Sequence, residues 1–159
     1  MRAELYWICK VGEGRLATMP RPRGGDWLSA ELRSLREQGV DIVLSLLQRE
    51  EEYELDIVEE KSLCAENDLV FRSFPIIDRA VPESRSAALE LANSMLQELR
   101  SGKNVAIHCR AGIGRSSLIA ACVLKLSGID VDEAFEMIES ARGFAVPDTP
   151  EQLEWVRLI

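Results

Sequence analysis

The segment His108–Ser117, with the sequence HCRAGIGRSS, brings together residue types that can hold a phosphate group. Gly112 and Gly114 allow backbone conformations closed to other residues, so successive N–H groups can turn inward and form an anion-binding nest. Arg115 adds a permanently charged planar guanidinium, which can hold two phosphate oxygens at once. A helix that begins near Arg115 adds its free N–H groups and the positive end of its dipole. The segment therefore predicts a site for a dianion of the size of phosphate.

The cysteine of this segment is placed to act as a nucleophile. Cys109 would lie at the mouth of the nest, where positive charge favours a thiolate over a thiol. A thiolate beneath a bound phosphate monoester can attack phosphorus and take the phosphoryl group onto sulfur, which divides hydrolysis into two easier displacements. We expect no metal and no cofactor, because the nest and Arg115 already supply positioning and charge stabilisation. The predicted phosphate-binding residues are Arg110, Ala111, Gly112, Ile113, Gly114 and Arg115.

Departure of the leaving group requires a proton donor from another part of the chain. Asp78 is the best candidate, because its proline-bounded loop, residues 75–82, follows a predicted strand and could reach the same edge of the sheet. In the second step, Asp78 would take a proton from the attacking water while Ser116 hydrogen-bonds the departing sulfur. The alternative is that Asp78 only shapes a turn. The predicted catalytic residues are Cys109, Asp78, Arg115 and Ser116.

Two polar residues outside this set have both a functional and a structural interpretation. His108 is the single histidine of the chain, and adjacent residues on a strand point to opposite faces. We therefore favour a hydrogen bond from His108 that orders the loop over direct proton transfer with Cys109. Gln152 either positions the attacking water or, with Thr149 at capping-box spacing, caps a helix.

Two arginines and two cysteines also allow more than one interpretation. Arg79 and Arg110 either line the cleft and contact substrate or are only solvated. Cys64 and Cys122 are expected to pack in the core, with the alternative that one of them is a resolving thiol for an oxidised Cys109.

The elements that must position these residues alternate between strands and helices. Apolar runs predict strands at Asp41–Leu47, Val70–Phe74 and Asn104–His108. Helices are predicted from an Asp26 N-cap to Gly39, over the acidic residues 50–66, over residues 84–100, from about Arg115, over Val131–Arg142 and from Pro150 to the end. This alternation predicts one α/β domain over residues 1–159, with a largely parallel sheet covered by helices on both faces. Ligands bind beyond the carboxyl ends of such strands, where HCRAGIGRSS falls.

Composition narrows the class of protein. The chain of 159 residues has 47% hydrophobic and 29% charged residues, and its net charge of -8 argues against general nucleic-acid binding. The longest uncharged apolar run, Leu118–Leu124, is far below the roughly 20 residues of a membrane span, and the first ten residues lack the apolar core of a secretory signal. Four cysteines without CxxC pairing are typical of a reducing compartment. We expect a cytoplasmic monomer with no membrane and no nucleic-acid partner.

Basic residues are concentrated near the start of the chain. Residues 1–25 contain five basic and two acidic residues, a local excess of three positive charges in a chain whose total is -8. Such a segment could steer an acidic substrate. A solvated arm without a role is the interpretation that we favour.

The pattern His-Cys, two residues, Gly, two residues, Arg, Ser resembles the signature of the cysteine-dependent protein tyrosine phosphatases. The small size is similar to that of the dual-specificity branch, and the segments GVDIVLSLL, FPIIDRAVP and ARGFAVPDTPEQLEWV resemble its compact bacterial or atypical members. The resemblance implies a four- or five-stranded sheet flanked by helices. It also implies Cys109 as nucleophile, Arg115 as phosphate binder, Asp78 as general acid and Ser116 as helper.

The resemblance implies a phosphoprotein phosphatase that hydrolyses phosphotyrosine through a cysteinyl-phosphate, with phosphoserine and phosphothreonine left open. A phosphorylated protein or peptide is the expected partner. The alternatives are a phosphatase for a phosphoinositide or an RNA 5' end, and an inactive phosphate-binding module. The loop carries Arg110, Ala111 and Ile113 where phosphoinositide phosphatases of this fold tend to carry lysines, which disfavours a lipid headgroup.

Overall fold

A central five-stranded sheet organises the computed structural model, which describes residues 2–159. The strand order is β1-β2-β5-β3-β4, so β5 is the middle strand. β1 and β2 are antiparallel, and the other three neighbouring pairs are parallel. The strands are β1 (Tyr6–Val11), β2 (Gly14–Met19), β3 (Ile42–Ser45), β4 (Val70–Ser73) and β5 (Val105–His108).

Helices cover both faces of this sheet. One apolar cluster contains side chains of α1 and α3, and the other contains side chains of α4, α5, α6 and α7. The predicted α/β class, with a largely parallel sheet between two helical layers, is therefore confirmed. The helices are α1 (Leu28–Glu37), α2 (Arg49–Glu54), α3 (Glu60–Glu66), α4 (Arg85–Arg100), α5 (Arg115–Leu126), α6 (Val131–Arg142) and α7 (Pro150–Arg157).

Alternation along the strands explains why two cores form. On β3, Leu44 and Ile42 pack towards the α4–α7 layer, whereas Val43 between them packs towards α1 and α3. α5 is buried on all sides from Arg115 to Leu124, which its nearly uniform apolar sequence permits. This helix starts directly after HCRAGIG, so its N-terminus is fixed by the core of the protein.

The strand register brings the functional loops to one edge. Met19 of β2 and Ser45 of β3 are each paired with His108 of β5, and Ser45 is also paired with Ser73 of β4. Four parallel strands therefore end at the same level, and the chain that follows each strand opens on the same side. Cys109 is the first residue beyond β5.

Several local predictions were wrong. Residues 1–25 are not a solvated arm, because 6–11 and 14–19 form the β1–β2 hairpin and β2 lies inside the sheet. Asp26 does not cap α1; it lies in a 3-10 turn over Gly25–Trp27, and α1 begins at Leu28. The acidic stretch 50–66 is two helices, separated by residues that include Asp56 in the left-handed region at φ +56°.

The capping predictions at the end of the chain hold. α6 spans Val131–Arg142 with Asp130 as its N-cap, and α7 begins at Pro150 behind a Thr149–Gln152 capping box. Among the helices of residues 2–159, none combines the length and the apolar character that crossing a bilayer takes.

Candidate active site

The loop between β5 and α5, residues 109–115, is called here the cysteine loop. Gly112 has φ +73°, a conformation that side-chain-bearing residues rarely adopt. A Cβ atom at this position would lie 2.7 Å from the carbonyl carbon of Met19 and 2.8 Å from the nitrogen of Pro20. The loop thus packs directly on the end of β2, and only glycine fits at its turn.

Arg142 at the end of α6 holds the outer side of the cysteine loop. Its Nε donates to the Gly112 carbonyl at 3.1 Å and its Nη2 to the Ala111 carbonyl at 3.1 Å. The guanidinium lies over the rings of Tyr6 and Phe144, at 4.5 and 4.9 Å from their centroids. In a trans peptide the N–H points opposite to the C=O of the same peptide bond. Because these two carbonyls point towards Arg142, the two N–H groups of the same peptide bonds point away from it. Such amides are the donors that an anion nest requires.

Cys109 lies at the base of the loop and is 3% exposed. Its Sγ is 3.3 Å from Ser116 Oγ, within the first turn of α5. The predicted nucleophile and the predicted helper residue are therefore in contact.

Arg115 is almost completely buried, with 1% exposure, and is held by a carboxylate that sequence reasoning missed. Glu51 on α2 accepts from both terminal nitrogens of the guanidinium, at 2.7 Å from Nη1 and 2.9 Å from Nη2. Nη1 also donates to the Ile76 carbonyl at 2.8 Å. The Nε atom is buried without a partner among residues 2–159. One donor of the predicted phosphate fork is thus unengaged, which fits a bound oxyanion.

The charges of this pair stabilise each other. Burial works against the charge of Arg115, but hydrogen bonds to Glu51 and the negative charges of Cys109, Glu51 and Asp78 raise its pKa above the ordinary value. Burial alone would raise the pKa of Glu51, yet the hydrogen bonds from Arg115 and from the Gln48 backbone hold it below the ordinary value. Glu51 is the second of three consecutive glutamates, and nothing local distinguishes it from its neighbours.

Asp78 is brought to the same arginine. Its Oδ1 lies 3.1 Å from Arg115 Nη2, while its side chain is 56% exposed. The Asp78 carboxylate therefore accepts a hydrogen bond from one nitrogen of the predicted phosphate fork, and the rest of its side chain faces solvent. The structure thus brings the predicted general acid to the predicted phosphate binder, with its side chain still open to solvent.

The C-terminal segment anchors the Asp78 loop, residues 75–82. Gln152 is fully buried, and its Nε2 donates to the Ala80 carbonyl at 3.0 Å. Its Oε1 accepts from the Thr149 backbone N–H, which closes the capping box. The side-chain amide of Gln152 also packs on the cysteine loop, because its Nε2 and Oε1 lie 3.1 Å from the position that a Cβ on Gly114 would take. Gln152 therefore caps α7 and also joins the Asp78 loop to the cysteine loop.

The two further arginines lie at the rim and are already paired. Arg79 donates to Asp148 at 3.1 Å, which ties the Asp78 loop to the residues before α7. Arg110 contacts Glu54 at 3.3 Å and Glu51 at 3.8 Å, and it stays partly exposed. Both arginines therefore have acidic partners in this structure, and neither guanidinium is brought into hydrogen-bonding contact with Cys109 or Arg115.

His108 directly precedes the predicted nucleophile, Cys109, and is fully buried. Its Nε2 is 2.7 Å from Glu60 Oε2, and its Nδ1 is 3.2 Å from the Cys109 carbonyl. Both partners are acceptors, so an imidazole that carries two protons satisfies both. Burial disfavours that charge, but the charge and hydrogen bond of Glu60 raise the pKa of His108. The position agrees with a structural role and, like Glu51, Glu60 was not predicted.

The other cysteines are poorly suited to react. Burial raises the pKa of Cys64 and of Cys122 to about 12 in each case, and both are fully buried. Cys64 packs in the α1–α3 core, on the opposite face of the sheet from the core that contains Cys109. These environments favour packing over a resolving role.

The fold and this site define a class: cysteine-dependent phosphatases of the protein tyrosine phosphatase superfamily, in the dual-specificity branch. Within it, the chain belongs to the family described as polymorphic toxin system, DSP-PTPase phosphatase, whose model matches residues 17–129.

Individual relatives agree with this assignment. The chain is 34% identical over 80 residues to dual specificity protein phosphatase 2 of Mus musculus, which covers 49% of this chain and 25% of the mouse protein. It is 24% identical over 131 residues to cyclin-dependent kinase inhibitor 3 of Rattus norvegicus, which covers 81% of this chain and 61% of the rat protein. The chain thus spans less than two thirds of the length of these curated relatives.

Solved structures cover the whole fold. A kinase-associated phosphatase whose catalytic-site cysteine is replaced by serine has a TM-score of 0.88 at 19% identity, covering 98% of this chain and 93% of that chain. Tk-PTP in its active form has a TM-score of 0.79 at 28% identity, covering 99% of this chain and 97% of that chain. The first likeness shows the shared fold.

Replacing Gly112 by alanine should disable the site while leaving the fold intact. The new Cβ would overlap the backbone of Met19 and Pro20, so the cysteine loop must shift, and a misplacement of ~1 Å costs about 100-fold in rate. Gly128→Ala is the matched control, because Gly128 also has positive φ but a Cβ there meets no atom within 4 Å. Phosphate-release kinetics and circular dichroism measure both effects. Equal activity of the two variants would contradict the close packing.

Removing the Arg142 clamp should lower turnover by about 10- to 100-fold, because two loop carbonyls lose their donors. Arg142→Lys should recover little, since one ammonium cannot reproduce two parallel N–H groups. Arg157→Ala, which breaks only a surface ion pair with Asp132, is the control for charge loss at an exposed arginine. A fully active Arg142→Ala protein would show that the loop holds its shape without the clamp.

Proposed function

We propose that the protein hydrolyses phosphate monoesters of proteins through a cysteinyl-phosphate intermediate. The observation that carries the proposal is the arrangement around Cys109. Its sulfur lies under a loop whose amides are directed inward, 3.3 Å from Ser116 Oγ, beside a buried guanidinium whose Nε has no partner among residues 2–159. A phosphate seated in the loop would meet the loop amides, Arg115 Nε and the thiolate together.

In the first step, Cys109 Sγ attacks phosphorus, so the P–S bond forms and the bond from phosphorus to the leaving oxygen breaks. The incoming phosphate takes Arg115 Nη2 from Asp78, and the released Asp78 gives its proton to the leaving oxygen. The donor in this first step is the protonated form of Asp78, which is left as a carboxylate when the leaving oxygen has taken its proton. In the second step, the Asp78 carboxylate takes a proton from water, the water oxygen attacks phosphorus and the P–S bond breaks, which restores the protonated acid. Ser116 hydrogen-bonds the departing thiolate, which makes sulfur a better leaving group.

The proposed substrates are phosphotyrosine side chains and, with a shallow cleft, phosphoserine and phosphothreonine. The family description and the dual-specificity relatives support this range. We further propose that residues 1–159 form one phosphatase domain and that it acts as a cytoplasmic monomer. Four free cysteines support a reducing compartment.

Replacing the nucleophile and the phosphate fork should separate binding from turnover. Cys109→Ser should keep affinity for inorganic phosphate but lose turnover by at least about 1,000-fold, because serine is not ionised in the same nest. Arg115→Lys should lose both, since the two-pronged contact and the Glu51 pair disappear. Calorimetric phosphate binding and phosphate release from phosphotyrosine, phosphothreonine, phosphoinositide and 5'-triphosphorylated RNA provide the measurements. Turnover by the serine protein would reject the covalent route, and hydrolysis confined to the lipid or RNA would reject the substrate class.

Replacing the general acid should matter most when the leaving group is poor. Asp78→Asn should reduce turnover by about 100- to 10,000-fold on an alkyl phosphate, the usual effect of a positioned acid. An aryl phosphate with an acidic phenol should be affected less, because its oxygen departs without a proton. If both substrates lose activity equally, or neither does, another residue is the proton donor.

A further inference from the structure

The basic residues of the first 25 positions divide between two ends of the β1–β2 hairpin. Arg15 lies near the turn, with its guanidinium 3.9 Å from the centroid of the Trp7 ring. At the other end, three arginines line one cavity of about 310 Å³, between the N-terminal residues and the segment that follows β2. We call this cavity the arginine pocket; its arginines are Arg2, Arg21 and Arg23.

The arginine pocket shares a wall with the cysteine loop. Met19 and Pro20 line the pocket, and their backbone atoms are those that a Cβ on Gly112 would strike. One residue further, the Arg21 N–H donates to the Arg110 carbonyl at 3.1 Å, which continues the β2–β5 register beyond the strands. Arg21 is therefore one strand spacing, ~4.8 Å, from the residue next to the nucleophile.

The charges around the pocket leave Arg21 without a counterion. Arg23 is neutralised, because its Nε and its backbone N–H both donate to Glu31. The other lining carboxylate, Glu4, accepts from the Tyr6 hydroxyl at 2.8 Å. Arg21 donates from its side chain only to the Pro22 carbonyl, at 3.2 Å, and has no acidic partner within residues 2–159. Most of its guanidinium donors are therefore free for an anion.

We propose that Arg21 forms a subsite for a second anionic group of a phosphorylated peptide, a carboxylate or phosphate carried near the residue whose phosphate enters the cysteine loop. The inference rests on the proposed function and names the substrate class of the same site. An extended peptide advances ~3.3 Å per residue, so a group one to three positions away lies ~3 to 10 Å along the peptide, a range that includes the ~4.8 Å spacing between the backbones of Arg21 and Arg110. Arg2, on the same pocket, adds positive charge that attracts this group.

The test compares three phosphotyrosine peptides that differ only in the flanking residues: alanines, glutamates, or alanines with one phosphothreonine two positions away. The readout is the ratio of kcat/KM for each acidic peptide to that for the alanine peptide. The ratio should be about 10 for the wild-type protein, the usual effect of one charge-assisted hydrogen bond, and should shrink as salt is raised. The larger of the two ratios identifies carboxylate or phosphate as the preferred group.

In the Arg21→Ala protein the ratio should fall towards 1, and Arg21→Glu should reverse the preference. Arg100→Ala is the matched control, because Arg100 is exposed at the end of α4, which leads to the opposite edge of the sheet. It should keep the wild-type ratio. A ratio of 1 in the wild-type protein, or one that survives in Arg21→Ala, would overturn the subsite. The proposal would also be overturned if Arg21 raised kcat/KM only for a short-chain phosphoinositide and not for the acidic peptides.

Failure of the subsite and failure of the proposed function give different results. If the wild-type protein hydrolyses all three peptides at equal rates, the subsite is wrong and the phosphatase assignment stands. If it hydrolyses none of them while folded, the proposed function itself fails. Because the ratio cancels any general loss of activity, a variant that is partly impaired still answers the question.

Discussion

The buried guanidinium of Arg115 is the constraint around which the rest of the site is arranged. Arg115 is 1% exposed, and a buried charge is tolerated only when it is paired and hydrogen-bonded. Its partners come from Glu51 on α2 and from the Ile76 carbonyl after β4. These residues meet because the parallel strands end in register at one edge. The register of the parallel strands therefore determines which acceptors surround Arg115.

The supports of the site extend beyond the region that the family match covers. The match ends at residue 129, yet Arg142 braces the cysteine loop and Gln152 joins it to the Asp78 loop. The last two helices thus hold both loops of the site in place. This division suits a mechanism in which Asp78 changes partners, because a loop fixed at its ends can reposition one side chain without rearranging the sheet.

The features that could be predicted from sequence are those encoded locally. The cysteine loop, the bounds of α6 and the Thr149–Gln152 capping box each depend on residues a few positions apart. The β1–β2 hairpin was missed because β1 is only half-buried along most of its length, so its apolar positions do not alternate clearly. Glu51, Glu60 and Arg142 were missed for another reason. Their partners lie 64, 48 and about 30 positions away, and no local pattern marks one acid or base among many.

The enclosed position of His108 has a consequence for observing the protein. Its ring is sandwiched between a carboxylate and a carbonyl, with no surface exposed to water. Protons on such nitrogens exchange with solvent only when the surrounding layer opens, so they should persist as resolved low-field resonances. The chain has no other histidine to overlap with them. His108 is therefore a single spectroscopic reporter next to Cys109, and the exchange of its ring protons would report local opening of the structure around the predicted nucleophile.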